Sequence, residues 1–441
     1  MKKTLTIVVL LAAMLQIISG CKKNEDAGTN PVPPTDLQIA VFSDAHFYDP
    51  SLGITGLAFE AYLVQDRNLI AQSQSINESV IQTLKNSSAS IILITGDLTK
   101  DGEKTNHESM ASFLGQLESA GKRVFVIPGN HDVSNPLSYS SSGSTATSVP
   151  TITPAEFATI YDQFGYKEAF SRDNNSLSYV VSLNSATWLL AMDGCRYNEN
   201  TTIPITEGKF SNATYQWIKD KLVEAKTKGI NVIGMMHHGM IEHYQGQSLM
   251  FPEYLLEDWQ TKSSELASLG LKVVFSGHFH AQDIVKKVEN DGSFMFDVET
   301  GSLVTWPIPY RTVTYTTKNK MTVQTTKVTT LTGYPNFEEF SMQDLQQGMD
   351  TLIKLQLMSP PYSLSYEETQ MIAPLAVSGF MAFYHGDEVI TPEVQAGIDQ
   401  LIQMGGSAAQ LGMSIQSMYT DTAPADNNVE IDLKTGAVTP L

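Results

Sequence analysis

The chain has 441 residues, of which 42% are hydrophobic and 17% charged, so it can bury a full core and is neither a disordered nor a fibrous sequence. Its formal net charge of −19, from 47 acidic and 28 basic residues, argues against a broad cationic surface and therefore against duplex nucleic acid as a partner. We expect one large domain with an appendage, or two domains.

The first twenty residues predict a secretory signal peptide. Lys2 and Lys3 precede an apolar run, TLTIVVLLAAMLQIIS, that is too short and wrongly flanked for a membrane span. The run ends in Ile18-Ser19-Gly20-Cys21, and small residues before a cysteine at this place resemble the bacterial lipobox, in which the cysteine becomes the lipid-bearing first residue. The alternative is an ordinary signal peptide with an incidental cysteine.

The lipobox resemblance implies that lipidated Cys21 anchors the protein to a bacterial membrane, with the polar, Pro-rich residues 21–36 as a tether. Lys22 rather than Asp after the cysteine is compatible with outer-membrane sorting, and the protein would face the periplasm or the outside. Cys195 is the one other cysteine, so no internal disulfide is available once Cys21 is lipidated.

Beyond the tether, short apolar runs rich in β-branched residues alternate with amphipathic runs. The strand-like runs are LQIAVF, SIILIT, KRVFVIP, WLLAM, NVIGMM and LKVVF. The helix-like runs are INESVIQTLKN, NHESMASFLGQLESAG and NATYQWIKDKLVEAKTKG. This alternation predicts an α/β domain with a layered sheet.

Polar side chains directly follow five of these strands. They lie in Ser43-Asp44-Ala45-His46, Gly96-Asp97-Leu98-Thr99, Gly129-Asn130-His131-Asp132, His237-His238-Gly239 and Ser276-Gly277-His278-Phe279-His280. Because ligands of open α/β sheets bind at the carboxyl ends of the strands, we expect these residues at one edge of the sheet. Each stretch alone is a weak signal and typical of a turn, but five in series favour a functional site.

The residue types indicate metal binding. In extended backbone, residues i and i+2 point to the same side, so Asp44 with His46, and His278 with His280, are predicted to project together. Imidazole, carboxylate and amide oxygen suit Mn, Fe or Zn rather than Ca. Seven potential ligands exceed the needs of one ion and, with one bridging carboxylate, fit two ions about 3.5 to 4 Å apart.

The order D-x-H, G-D, G-N-H-D, H, G-H-x-H is similar to the pattern of the calcineurin-like metallophosphoesterase superfamily. The resemblance implies a four-layer α/β/β/α sandwich over a catalytic domain at residues 37–331, and a metal-dependent phosphoric ester hydrolase with two divalent or trivalent ions. It also implies one ligand set of Asp44, His46 and His280, a second of Asn130, His237 and His278, and a bridging Asp97.

By the same resemblance, His131 faces the substrate as proton donor to the leaving group or as a stabiliser of charge on the phosphoryl oxygens. Asp132 is expected to orient the His131 imidazole, and His238 to lie behind His237. A hydroxide bridging the two ions would attack phosphorus in line, without a covalent intermediate.

The substrate class is less tightly indicated than the chemistry. The stretch from Gly96 to Gly102 resembles the G-D-L-x-x-x-G variant of bacterial class III cyclic-nucleotide phosphodiesterases, which favours a phosphodiesterase. No tyrosine lies between Leu98 and Lys104, which disfavours the purple acid phosphatase branch. The alternatives are a phosphomonoesterase or pyrophosphatase acting on a nucleotide or lipid-linked substrate, and a non-catalytic surface binding lipoprotein, which the intact ligand set disfavours.

The remaining chain predicts further strands and then helices. QDIVKKVE, SFMFDVETG and RTVTYTTKNKMTVQTTKVTTL are expected to complete the second sheet, with a hairpin turn at Asn290 to Gly292. Residues 335–441 predict three helices and a small hairpin, VEIDLKTGAV. Their role is open: they pack on the catalytic domain, cover its cleft or bind a partner.

Several residues are interpreted as structural. Arg311 is read as a surface arginine rather than a phosphate contact. His107 and His385 are read as surface or packing residues, and His243 as a loop histidine, with a place in the pocket as its alternative. The segments from Phe47 to Ala71 and from Val133 to Pro150 are expected to form the pocket rim as loops.

Overall fold

Two seven-stranded sheets carry the fold in the computed structural model, which describes residues 34–441 apart from 65, 361 and 421. The predicted signal peptide and most of the tether lie outside the described residues. The strands are β1 (Leu37–Phe42), β2 (Ile91–Ile94), β3 (Arg123–Val126), β4 (Tyr139–Ser140), β5 (Thr147–Ser148), β6 (Ser171–Arg172), β7 (Tyr179–Asn184), β8 (Thr187–Ala191), β9 (Asn231–Met235), β10 (Val273–Ser276), β11 (Asp283–Val288), β12 (Phe294–Glu299), β13 (Pro309–Tyr315), β14 (Lys320–Lys327), β15 (Asn428–Asp432) and β16 (Ala437–Pro440).

Helices lie between and after these strands. They are α1 (Leu57–Leu63), α2 (Ser73–Lys85), α3 (Lys104–Ser119), α4 (Pro154–Ile160), α5 (Asn212–Lys228), α6 (Gln247–Met250), α7 (Trp259–Ser268), α8 (Phe337–Met358), α9 (Tyr366–His385), α10 (Pro392–Met404) and α11 (Gly406–Ser417). None of the described helices combines the length and the apolar character needed to cross a bilayer.

The sheets stack as the middle layers of a four-layer sandwich. The first sheet runs β16-β15-β14-β13-β1-β2-β3 and the second β11-β12-β10-β9-β8-β7-β6. Strand residues alternate between layers: Leu189 joins the core shared with the first sheet, whereas Leu190 packs in the cluster that holds α5 and α7. Helices α2 and α3 bury their apolar faces in the core of the first sheet. The predicted α/β/β/α architecture is thereby confirmed.

The strands after His280 divide between the two sheets. Strands β11 and β12 pair as the predicted hairpin in the second sheet. Strands β13 and β14 instead join the first sheet, with β13 antiparallel to β1. The expectation that all of them complete the second sheet was therefore wrong. Alternating side chains fix which face of a strand is buried, but they do not specify which of two sheets it joins.

In the described part of the C-terminal region, the chain forms four helices and the predicted hairpin. A capping box of Ser365 and Glu368 starts α9, and Thr391 caps α10. One helix was expected from Thr391 onward, but Gly405 and Gly406 adopt left-handed φ angles of 76° and 59° and divide it. The hairpin of β15 and β16 extends the first sheet through β14.

Arg311 is not a surface residue, contrary to the expectation. It is fully buried, and its guanidinium donates hydrogen bonds to the backbone carbonyls of Glu299, Asp283 and Asp426 at 2.5 to 3.2 Å. Because Asp426 lies just before β15, this arginine ties the C-terminal hairpin to the second sheet.

His243 lies in the loop after β9, as predicted, and its side chain is buried. Its ring nitrogens lie 3.4 Å from Asp283, 3.6 Å from Asp297 and 3.4 Å from Glu299. Burial lowers the pKa of His243, but these carboxylates outweigh it and raise the pKa well above its usual range. We infer a buried imidazolium at this position.

The other two histidines are packing residues, as expected. His107 is buried, with Nδ1 2.8 Å from the Tyr161 hydroxyl and Nε2 2.7 Å from the Asp132 carbonyl. His385 stacks on Trp306, with 5.3 Å between ring centroids. Neither lies in a candidate metal-ligand group.

Candidate metal centre

Both sheets deliver polar residues to one place. Asp44, Asp97 and Asn130 follow β1, β2 and β3 of the first sheet, and His237 and His278 follow β9 and β10 of the second. Backbone hydrogen bonds hold the strand ends in register. The Asp44 N–H donates to the Gly96 carbonyl at 3.1 Å, and the Gly277 N–H to the His237 carbonyl at 3.0 Å.

The ligand-bearing segments are not extended, which corrects the sequence expectation. The five residues concerned all adopt left-handed backbone: Asp44 (φ 50°), His46 (φ 36°), Asp97 (φ 48°), His278 (φ 80°) and His280 (φ 68°). Such conformations are uncommon outside glycine and concentrate at functional sites. The side chains of each i, i+2 pair still reach the same centre, through turns rather than a straight strand.

The first ligand group consists of Asp44, His46 and His280, all buried. The two imidazole Nε2 atoms lie 3.2 Å apart. Asp44 Oδ1 lies 3.3 Å from His280 Nε2 and 3.9 Å from His46 Nε2. Gly277 makes this possible, because a Cβ at that position would collide with the Ser43 and Asp44 side chains.

The second group consists of Asp97, His237 and His278, also buried. Asp97 Oδ2 lies 3.3 Å from His237 Nε2 and 3.7 Å from His46 Nε2, so this carboxylate stands between the two groups. Asn130 Oδ1 lies 3.1 Å from His237 Nε2. His238 is outside both groups, with its Nε2 2.9 Å from the Thr206 carbonyl.

Hydrogen bonds from the opposite ring nitrogen orient the histidines. His237 Nδ1 lies 2.9 Å from the Thr95 carbonyl, and His278 Nε2 lies 3.3 Å from the Glu253 carbonyl. His280 Nδ1 lies 3.1 Å from Thr305 Oγ1, which itself donates to Asn68 Oδ1 at 2.7 Å. Each partner fixes the tautomer and leaves the other nitrogen free to bind a metal.

The donor set fits metal ions. Asp44 Oδ1 is buried and has no hydrogen-bond partner among the residues that the structure describes, an arrangement that is costly unless a cation supplies the missing interaction. Burial lowers the pKa of His46 to about 4 and holds the pKa of His278 well below its usual range, so both imidazoles present lone pairs at neutral pH. The two groups therefore fit a dinuclear centre.

A family model described as calcineurin-like phosphoesterase matches residues 37–282. The chain belongs to this family. It is accordingly a metal-dependent phosphoester hydrolase with a dimetal centre. A search of curated proteins gave no match.

Solved structures with a similar fold include a dimetal phosphatase from Danio rerio, at 13% identity and a TM-score of 0.48, covering 67% of this chain and 97% of that one. A purple acid phosphatase from yellow lupin matches at 12% identity and a TM-score of 0.42, covering 67% of this chain and 52% of that one. An NAD nucleotidase from Haemophilus influenzae matches at 12% identity and a TM-score of 0.33, covering 72% and 55%. The chain thus spans about half the length of the last two proteins.

In this phosphoesterase, His131 stands beside the first ligand group with its side chain 33% exposed. Its ring meets that of His46 edge-on, with 5.0 Å between centroids, and its backbone N–H donates to Asp97 Oδ1 at 2.9 Å. His131 Nδ1 lies 3.0 Å from Asp101 Oδ1. Burial lowers the pKa of His131, but the charges of Asp97 and Asp101 outweigh it and raise the pKa to about 10.

Asp132 does not hold the His131 ring, so that expectation was wrong. Its carboxylate accepts hydrogen bonds from the backbone N–H groups of Leu98, Thr99 and Gly129 at 2.9 to 3.1 Å. These bonds join the second and third motifs to each other. Asp132 therefore shapes the loops that carry Asp97 and Asn130.

Sequence reasoning missed three supporting residues. Asp101 lies inside the G-D-L-x-x-x-G stretch, just before Gly102, but the sequence analysis considered only the adjacent Asp132 as a partner of His131. Thr305 and Asn68 carry no motif and lie in loops distant in sequence, so nothing in the pattern indicated their contact with His280.

We expect Thr305→Val to weaken one of the two metal sites. The change keeps the shape but removes the acceptor for His280 Nδ1–H, and loss of such partners lowers metal affinity roughly 10- to 100-fold. Metal content after dialysis against graded chelator measures the effect. Thr300→Val is a matched control, because Thr300 is equally buried and its hydroxyl has no partner among the described residues. Equal metal loss in both variants would contradict the role of Thr305.

Proposed function

We propose that this enzyme is a phosphodiesterase in which Asn130 would join the second ligand group and Asp97, which stands between the two groups, would serve both ions. The observation that carries the proposal is the pairing of the dimetal ligand groups with a partly exposed His131 whose Nδ1 is held by Asp101. When bound, two ions supply a water nucleophile activated near neutral pH and neutralise charge on the phosphoryl oxygens. The preference for diesters rests on the G-D-L-x-x-x-G stretch from Gly96 to Gly102.

Residues of the chain supply the proton donor and hold it in position. Because Asp101 engages His131 Nδ1, Nε2 is the nitrogen that can donate a proton to the leaving oxygen. The backbone bond from His131 N–H to Asp97 fixes the ring relative to the ligand groups. The ligands are buried, whereas the His131 side chain is partly exposed to solvent.

The first test compares bis(4-nitrophenyl) phosphate with 4-nitrophenyl phosphate, using the soluble chain from residue 22 onward with added Mn. We expect a kcat/KM for the diester at least about tenfold higher, which is 1.4 kcal/mol of transition-state stabilisation. Chelation should abolish both reactions. A higher kcat/KM for the monoester would replace the proposal by a phosphomonoesterase, and turnover that survives chelation would exclude the metal-dependent route.

A second test addresses His131 and its positioning residue. We expect His131→Ala to lower kcat roughly 10²- to 10⁴-fold, as for loss of a general acid. Asp101→Asn should lower kcat roughly 10- to 100-fold, because a neutral amide oxygen is a weaker acceptor for His131 Nδ1–H than a carboxylate, and it should add nothing in the His131→Ala background.

Asp132→Asn is the contrasting variant. It removes a carboxylate that accepts three backbone N–H bonds, so it should lower the free energy of unfolding and couple to His131 more weakly than Asp101→Asn does in a double-mutant cycle. Coupling of His131 to Asp132 rather than to Asp101 would overturn the assignment.

We also propose that the enzyme is a lipoprotein of the bacterial cell envelope. The support is sequence alone: Lys2 and Lys3, the apolar run, and Cys21 after small residues, followed by a Pro-rich tether. Full-length protein expressed in a bacterial host should sediment with membranes, and Cys21→Ser should move it to the soluble envelope fraction. Membrane association that persists in the variant would contradict the anchor.

A further inference from the structure

A cluster of one arginine and three tyrosines lies next to the metal-ligand groups. It consists of Arg67 from the segment before α2, Tyr244 and Tyr254 from the loop after His237, and Tyr384 from the end of α9. Tyr244 and Tyr254 both pack on the ring of Phe279, with 6.3 and 4.1 Å between centroids, and Arg67 lies within electrostatic reach of Tyr254 and Tyr384. The Tyr244 ring also meets Phe383, the residue before Tyr384, edge-on, with 5.1 Å between centroids. We call this set the Arg67 cluster.

Two donors in the cluster are unpartnered. Arg67 Nε and the Tyr244 hydroxyl are buried without a hydrogen-bond partner among the described residues, and Tyr244 is only 2% exposed. Buried donors left in this state are costly and point to a group that the protein itself does not supply.

Neighbouring carboxylates do not fill this gap. Asp66 Oδ1 accepts the backbone N–H groups of Arg67 and Asn68 at 2.6 and 3.0 Å, and its other oxygen accepts the Tyr62 hydroxyl. Glu242, which interacts electrostatically with Tyr244, accepts the Ser248 N–H at 2.8 Å. The cluster therefore presents donors to a further acceptor.

The Arg67 cluster connects directly to the metal ligands. The Tyr254 ring lies 4.8 Å from the His278 ring, centroid to centroid. Asn68, the residue after Arg67, accepts from Thr305, which contacts His280 Nδ1. The cluster and the ligand groups are therefore neighbours in the fold.

We propose that Arg67, Tyr244 and Tyr384 bind a second anionic group of the substrate, a phosphate or carboxylate carried next to the scissile phosphoester. Guanidinium and phenol donors together suit an oxyanion, and arginine matches its planar geometry with paired hydrogen bonds. The inference rests on the proposed phosphoester hydrolysis and deepens it. It also gives the C-terminal helices a part in substrate selection, since they supply Tyr384.

The kinetic test uses two 4-nitrophenyl phosphodiesters that differ in the second alcohol, one a methyl ester and one a 2-carboxyethyl ester. We expect Arg67→Gln to lower the ratio of kcat/KM for the carboxyethyl ester to that for the methyl ester by roughly 10- to 100-fold, as for loss of a charge-assisted hydrogen bond. An unchanged ratio would overturn the proposal.

Tyr244→Phe distinguishes a role of the hydroxyl in substrate binding from a role in protein stability. Removing an unpartnered buried hydroxyl should leave stability unchanged or raise it, whereas a binding role predicts a fall in the same ratio by about tenfold. Tyr166→Phe is the matched control. The Tyr166 hydroxyl is also buried and has no partner within the described part of the chain, but the residue packs against Tyr179 in the core. Equal ratios for both variants would count against the proposal.

A binding measurement distinguishes failure of this inference from failure of the proposed function. Calorimetry of the metal-loaded enzyme with 3-phosphonopropionate and with propylphosphonate needs no turnover. Tighter binding of 3-phosphonopropionate that is lost in Arg67→Gln would support the cluster even if neither ester is hydrolysed. Equal affinities of the two probes in the wild type would reject the cluster even if both esters are hydrolysed.

Discussion

The candidate centre depends on left-handed backbone at five residues that follow buried strands. Each such residue is disfavoured by roughly 1 to 2 kcal/mol outside glycine, so the turns persist only because their surroundings fix them. Backbone bonds such as His46 N–H to the Asp97 carbonyl at 3.0 Å link one turn to the next. The strain is thus shared between the first two motifs, and neither turn is expected to keep this form alone.

Phe279 helps to fix the left-handed backbone of the two histidines that flank it. Its ring packs on Tyr254 at 4.1 Å and on Phe383 of α9 at 5.1 Å, centroid to centroid. Phe279, the residue between the two ligands, is thereby buried in the apolar cluster that the C-terminal helices form. With His278 and His280 left-handed on either side of it, burial of Phe279 turns both imidazoles toward the ligand groups. Arg311 and the hairpin of β15 and β16 then fasten the C-terminal region to both sheets, so these helices are part of what holds the site.

Patterns in the sequence were sufficient for the buried strands, the paired ligands and the family, because each rests on residues close together in the chain. Sequence patterns were insufficient where two residues, or two sheets, distant in the chain could each make the same contact. Asp101 and Asp132 are both acidic and close to His131 in the motifs, and only the packing of the second motif on the third decides that Asp132 serves backbone N–H groups. Likewise, the alternation of buried and exposed side chains in β13 is compatible with either sheet, and its antiparallel pairing with β1 is determined by tertiary packing.

Charge makes metal and substrate binding interdependent in this fold. The protein carries a formal charge of −19, yet its substrates are anions. Several other buried carboxylates have nearby partners for their negative charge. Asp101 pairs with Lys100 and His131, and Asp132 accepts backbone N–H groups. Asp297 accepts the N–H groups of Met240 and Ile241. Asp44 and Asp97 are different, because part of their charge faces the centre itself. Without cations, a phosphate would be repelled by two carboxylates at this centre. With cations bound to those carboxylates, the local charge becomes favourable and an anion can bind.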